Sequence, residues 1–229
     1  AAGTDFNSTW RDCSSLTSFP LINTAAGTNF NSAWFGCSGL TSFPLLDVSG
    51  GTGFSGTWRS CSGLTSFPLL DTSASTYFGF TWTNCSSLTS FPAIDTSAGT
   101  NFAWAWRDCA SLTAFPSLNF DAATGLASDA SNTYTGFVEA WYGAASLADF
   151  PANLFDNTTC TRYLNAFRDC ALTAASIENI IVSIEAAGTS NGNLSLEGGT
   201  NAGASTWTAA AVTAYDALVA RGWTITRNA

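Results

Sequence analysis

The chain has 229 residues, of which 46% are hydrophobic and only 10% charged, so it holds enough apolar surface for one sizeable core and is not a disordered segment. Its formal net charge is −9, with seven Arg and neither Lys nor His, which argues against binding nucleic acid or an anionic membrane surface. No apolar run reaches the ~20 residues that span a bilayer, so membrane insertion is not expected.

From the first residues a 24-residue period organises the chain. Phe6, Phe30, Phe54, Phe78 and Phe102 form one column, and Trp10, Trp34, Trp58, Trp82 and Trp106 a second. Cys13, Cys37, Cys61, Cys85 and Cys109 follow, then Leu16, Leu40, Leu64, Leu88 and Leu112. Phe19, Phe43, Phe67, Phe91 and Phe115 each precede a Pro, and an Asp/Asn column closes the unit at Asn23, Asp47, Asp71, Asp95 and Asn119. Ala1 to Asp5 repeats Ala25 to Asn29, and there is neither a signal peptide nor an initiator Met. The expectation is therefore a fragment that opens inside a repeat.

Farther along, residues 125–135 read as an insertion. A sixth unit resumes at Phe137 and Trp141 with Ala144 in place of Cys, and a vestigial seventh carries Tyr163, Phe167 and Cys170. Ile177, Ile180, Ile181 and Ile184 then fall at helical spacing, with Ser176 as the expected N-cap and Gly188 as the stop. A second helix is expected from about Thr208 to Arg221, burying Val212, Tyr215, Leu218 and Val219, before a short strand from Trp223 to Thr226.

Within a unit, Phe, Trp and Cys at relative positions 0, 4 and 7 share one stripe of an α-helix. The Thr two residues before each Phe (Thr28, Thr52, Thr76, Thr100) suits its N-cap. The segment from Leu to the Asp/Asn column reads as extended, with the Asp/Asn side chains holding the following turn. The expected fold is thus an α/β solenoid over residues 1–175, built of leucine-rich-repeat-like coils of 24 residues, each a short helix plus a parallel strand. Residues 176–229 form a helical C-terminal cap of the same domain.

The unit F-x3-W-x2-C-x2-L-x2-F-P resembles the leucine-rich repeats of BspA-like, Treponema-type surface proteins, which share C-x2-L-x2-[LF]. It is also similar to tandem repeats in structural and tail-fibre-like proteins of marine bacteriophages. That resemblance implies an extracellular or virion-surface recognition protein, with a host cell-surface glycan or protein, or neighbouring subunits of an assembly, as partner. It carries no catalytic residues.

The residues themselves point away from chemistry. Without His the usual base of a nucleophilic triad is missing, and no C-x2-C or phosphate-cradling glycine loop occurs, so no enzyme, metal or cofactor is expected. The cysteine column reads as buried free thiols; Cys160 lies outside it and is a candidate partner for Cys170. The Thr-Ser pairs at Thr17, Thr41, Thr65 and Thr89 lack the T-x-T spacing of an ice-binding face and read as a solvated surface.

On a helical unit, relative positions 2 and 5 face solvent. They hold Ser8/Arg11, Ser32/Phe35 and Gly56/Arg59 early, then Phe80/Thr83, Trp104/Arg107 and Glu139/Tyr142. Phe80, Trp104, Arg107 and Tyr142, with Tyr134 of the insertion, are therefore expected to form one exposed ridge for a ligand or partner. The expected function is a surface recognition or adhesion module, as in a phage tail fibre or other virion appendage. The alternative is a structural subunit of an extracellular filament or virion shell.

Overall fold

A computed structural model describes residues 3–125 and 134–229; Ala1, Ala2 and residues 126–133 of the expected insertion lie outside the described residues. Among the described residues, regular elements are confined to the C-terminal part. They are β1 (Arg162–Tyr163), α1 (Ala174–Ala186), β2 (Asn193–Leu196), a short 3-10 turn (Ala204–Thr206), α2 (Ala209–Ala220) and β3 (Thr224–Arg227). The strands form one parallel sheet in the order β1-β2-β3, with Tyr163 opposite Leu194 and Leu194 opposite Ile225.

The expected α/β solenoid of leucine-rich-repeat-like coils is overturned by this element list. Among the described residues, no unit before the seventh contains a helix or a strand of its own; the seventh holds only the two-residue β1. The region consists of turns, extended segments and isolated parallel bridges such as Asn29 with Gly53 and Gly53 with Tyr77.

The cause is local backbone chemistry. The second residue after each lead aromatic (Ser8, Ser32, Gly56, Phe80, Trp104, Glu139, Asn165) is left-handed, and so is the sixth (Asp12, Gly36, Ser60, Asn84, Asp108, Gly143, Asp169). Their φ values lie between 52° and 73°. Two left-handed residues four positions apart permit neither a helix nor a strand. Most are Gly, Asn, Asp or Ser, which bear this conformation at least cost.

What replaces the helix is an alternating hydrogen-bond scheme. N–H groups of Phe30, Ser32, Trp34 and Gly36 donate to carbonyls of the following unit at 2.8–2.9 Å, namely Gly53, Ser55, Thr57 and Arg59. Those of Ala33, Phe35 and Cys37 turn back to the carbonyl three residues earlier, at 3.0–3.2 Å. All seven of these amides are satisfied, four of them between units. The Thr column does not cap helices. The Thr52 N–H donates to the carbonyl of Thr28 at 2.9 Å, and its hydroxyl to the same oxygen at 3.3 Å. The Asp/Asn column does hold its turn: the Asp47 carboxylate accepts from the Ser49 N–H at 3.2 Å and hydroxyl at 2.7 Å.

Side chains register the same spacing. The lead rings run Phe30, Phe54, Phe78, Phe102, Phe137, Tyr163, each parallel to the next within 15°, with centroids 5.1–6.5 Å apart. The indoles of Trp34, Trp58, Trp82, Trp106 and Trp141 form a second parallel row at 5.4–6.0 Å. Phe43, Phe67, Phe91, Phe115 and Phe150 stand perpendicular to that row. Ring pairs of this kind contribute ~0.5–1.5 kcal/mol each beyond simple burial. Among the described residues, the five buried indole N–H groups of this row have no hydrogen-bond partner.

Neighbouring units also fit together at the sixth position. A Cβ on Gly36 would stand 2.3 Å from the Asp12 carboxylate, one on Gly143 2.3 Å from that of Asp108, and one on Gly198 2.0 Å from that of Asp169. Each Asp carboxylate thus occupies space that the next unit's glycine leaves free, and a side chain there would require the carboxylate to turn away.

At the C-terminal end, α1 buries Ile177, Ile180, Ile181 and Ile184. Its N-cap is Thr173, not Ser176, because the Ser176 hydroxyl is committed to the Ala148 carbonyl at 2.8 Å. α2 is capped by Thr208 and buries Ala211, Ala214 and Leu218. Val212 and Val219 were expected inside and are 43% and 46% exposed. The small alanine face, rather than the valines, packs towards α1.

Candidate functional site

The ridge residues are brought together by the left-handed backbone, not by a helix face. Phe80 and Trp104 occupy the second-position column with φ of 64° and 63°. For bulky side chains this conformation costs about 1–2 kcal/mol each. The Phe80 and Trp104 rings are 5.3 Å apart, and Tyr134 closes the group at 5.4 Å from Phe80 and 5.7 Å from Trp104. The Asn101 side-chain amide holds the Tyr134 carbonyl at 2.8 Å. The Arg107 guanidinium lies between Trp104 and Tyr142, at 4.0 and 4.4 Å from their centroids.

Of the five, Tyr134 is openly exposed, at 45%, while Phe80, Trp104, Arg107 and Tyr142 are half-buried. They pack on one another side by side, so each ring hides part of its neighbour. The expected helical side does not exist.

Sequence reasoning missed the other half of the ridge. Arg11 lies over Phe35 at 4.3 Å; Arg59 lies over the same ring at 5.5 Å and over Phe80 at 5.6 Å. The face therefore reads as a continuous run of guanidinium and aromatic groups from Arg11 to Tyr142, alternating except where Phe80 meets Trp104. An open cleft of about 400 Å³ sits on it, walled by Phe35 and Phe80 with Ser32, Ser55, Arg11 and Arg59 around them. Phe35 and Arg59 stand in the same two columns, so the signal was present in the sequence. Thr83 was also missed: fully buried, its hydroxyl donates to the Trp104 carbonyl and pins that backbone.

A larger groove of about 460 Å³ lies between α1 and α2, lined by Val182, Glu185 and four alanines. Its one ionisable group, Glu185, is already paired with Arg221 at 3.2 Å, so it offers little specific chemistry.

The cysteine column is inert by construction. Cys37, Cys61, Cys85 and Cys109 are free and buried, and each thiol donates to the Trp carbonyl of the preceding unit (Trp10, Trp34, Trp58, Trp82) at 3.0–3.3 Å. Burial pushes the Cys37 thiol up to about 11 and that of Cys109 to about 12, so neither ionises near neutrality. Cys160 and Cys170 are unpaired with each other; Cys170 donates to the Trp141 carbonyl at 3.1 Å. Among the described residues no three His, Cys, Asp or Glu side chains gather as a metal site, and no helix is long and apolar enough to cross a membrane.

The geometry offers aromatic faces, oriented guanidinium groups and hydroxyls on an open surface. Comparison of the chain with protein-family models, curated proteins and solved structures found no match.

Proposed function

We propose that this chain is a non-enzymatic recognition and adhesion module, acting outside the cell or on a virion surface as part of a tail fibre or similar appendage. Its ligand is a glycan or protein of a host cell surface. The observation that carries this reading is the pair Phe80 and Trp104. Two bulky aromatics occupy left-handed positions that the other units give to Ser8, Ser32, Gly56, Glu139 and Asn165. Backbone strain of this kind, kept where a cheaper residue would serve the fold, is a feature of functional surfaces. Tyr, Trp and Arg are also the residues that dominate recognition interfaces. The resemblance of the unit to repeats of surface and tail-fibre-like proteins agrees with it.

The test is binding of fluorescent protein to candidate host cells and to immobilised glycans. Trp104→Asn should abolish binding while leaving the thermal midpoint nearly unchanged. Binding that survives this change would sink the assignment of the ridge.

A second reading, a structural subunit of a filament or shell, is favoured by a row of exposed leucines. Leu21, Leu45 and Leu69 are 75%, 64% and 61% exposed at one position of successive units. Light scattering separates the two: open-ended growth with concentration supports the subunit, and a fixed mass with cell binding supports recognition.

A further inference from the structure

We infer that the cleft at Arg59 takes the anionic group of an acidic saccharide, a carboxylate or a sulfate, with the sugar ring held against Phe35 and Phe80. This deepens the recognition reading and rests on it. Four units place an Arg at the fifth position: Arg11, Arg59, Arg107 and Arg168. In three of them the next residue is Asp, and the pair is an ion pair: Arg11–Asp12 at 3.3 Å, Arg107–Asp108 at 3.1 Å and Arg168–Asp169 at 3.7 Å. Arg107 and Arg168 take a second carboxylate from the following unit, Glu139 and Glu197. At Arg59 the next residue is Ser60, and no ion pair to Arg59 is found among the described residues. Its Nε is buried without a hydrogen-bond partner. In a chain with 16 acidic residues against seven Arg, the cleft on this ridge has two Arg and no acid in its lining.

The chemistry of that lining is specific. A guanidinium presents a planar fork that matches a carboxylate or sulfate. Here it is fixed between two rings, so little freedom is lost on binding. Phe35 and Phe80 give the cleft apolar walls on either side of that guanidinium, against which the C–H groups of a sugar ring can pack. Ser32 and Ser55 supply hydroxyls that both donate and accept. A cleft of about 400 Å³ is at the small end of ligand pockets, suited to a short saccharide. The overall charge of −9 repels an anion at long range, so selection must come from this local arrangement.

The test uses the whole chain and calorimetry at ~0.1 M salt with three probes: an oligogalacturonate, a sulfated galactan oligosaccharide and a neutral oligogalactan. The expected result is binding of one or both acidic probes at least ~10-fold tighter than the neutral one, the scale of one charged hydrogen-bonded contact. The two acidic arms tell carboxylate from sulfate. Arg59→Gln should remove the preference. Ser60→Asp combined with Asn84→Gly recreates the Arg-Asp followed by Gly arrangement of Arg11, Asp12 and Gly36; it keeps Arg59 in place and should also remove the preference at an unchanged thermal midpoint. Equal binding of neutral and acidic probes, or a preference that survives both variants, overturns the inference while leaving the recognition reading intact. Absence of binding to every saccharide and every cell tested overturns both.

Discussion

The thiol of Cys61 donates to the carbonyl oxygen of Trp34 across 3.1 Å, from one unit to the one before it. The same carbonyl accepts the N–H of Cys37 at 3.2 Å, so both lone pairs of a buried oxygen are used. Cysteine suits this column because it is a small apolar side chain with a weak donor at the right reach.

The sixth unit lacks that donor, since Ala144 stands where the thiol would meet the Trp106 carbonyl. Ala144→Cys should therefore raise stability by ~0.5–1 kcal/mol, measured by urea denaturation. Conversely, Cys61→Ala should cost ~1–3 kcal/mol, and Cys61→Ser less, because a hydroxyl can still reach Trp34. If Ser proves the worse of the two, the sulfur matters only for packing.

Alkali should destabilise the protein through the same column. The folded thiols hold their protons above an ordinary value of 9, to about 11 at Cys37 and about 12 at Cys109 and Cys160. Below pH ~8 both folded and unfolded chains are protonated and the contribution is fully present. Between pH ~9 and ~11 the unfolded chain releases protons first. Stability then falls by up to ~1.4 kcal/mol per pH unit for each such thiol. Unfolding midpoints at pH 7, 9 and 10.5 check the direction. In parallel, a thiol reagent at neutral pH should label the exposed Cys13 and spare the six buried cysteines until denaturant is added.

Phe80→Asn should be close to neutral for stability. It relieves ~1–2 kcal/mol of backbone strain and gives up ring contacts worth ~0.5–1.5 kcal/mol each. Ligand binding should fall all the same. A loss of more than ~2 kcal/mol with binding intact would show that the ring belongs to the core.

Gly143→Ala tests the fit between units. The residue is left-handed at φ 71°, and the new Cβ would meet the Asp108 carboxylate. A cost of ~2–4 kcal/mol is expected, partly recovered by Asp108→Ser as a double-mutant coupling.

Much of the molecule was legible in its sequence, though not the class of fold. The 24-residue spacing located the buried Phe, Trp, Cys and Leu columns, because burial depends on which residues recur and hardly on the backbone between them. The backbone was misread. Phe, Trp and Cys at 0, 4 and 7 fit a helical stripe, the residues at positions 2 and 5 were read as its wet side, and position 6 was not considered. The recurrence of Asp12, Gly36, Ser60, Asn84, Asp108, Gly143 and Asp169 at one position is a turn composition, and that was the overlooked sign. The ridge was found from its exceptions, Phe80 and Trp104. Arg59 was passed over because its distinction lies in a neighbour it lacks, the Asp that follows every other Arg of its column.

The nesting of Asp12 over Gly36, Asp108 over Gly143 and Asp169 over Gly198 limits how such a chain can grow. A unit carrying Arg-Asp and copied directly behind itself would bring a Cβ against the first carboxylate, which would have to turn away from the position it holds. Duplication that carries the donor unit together with its glycine-bearing follower keeps the arrangement as it is. The segment that repeats without rearrangement at these Arg-Asp positions is therefore two units long, twice the period that the aromatic columns display.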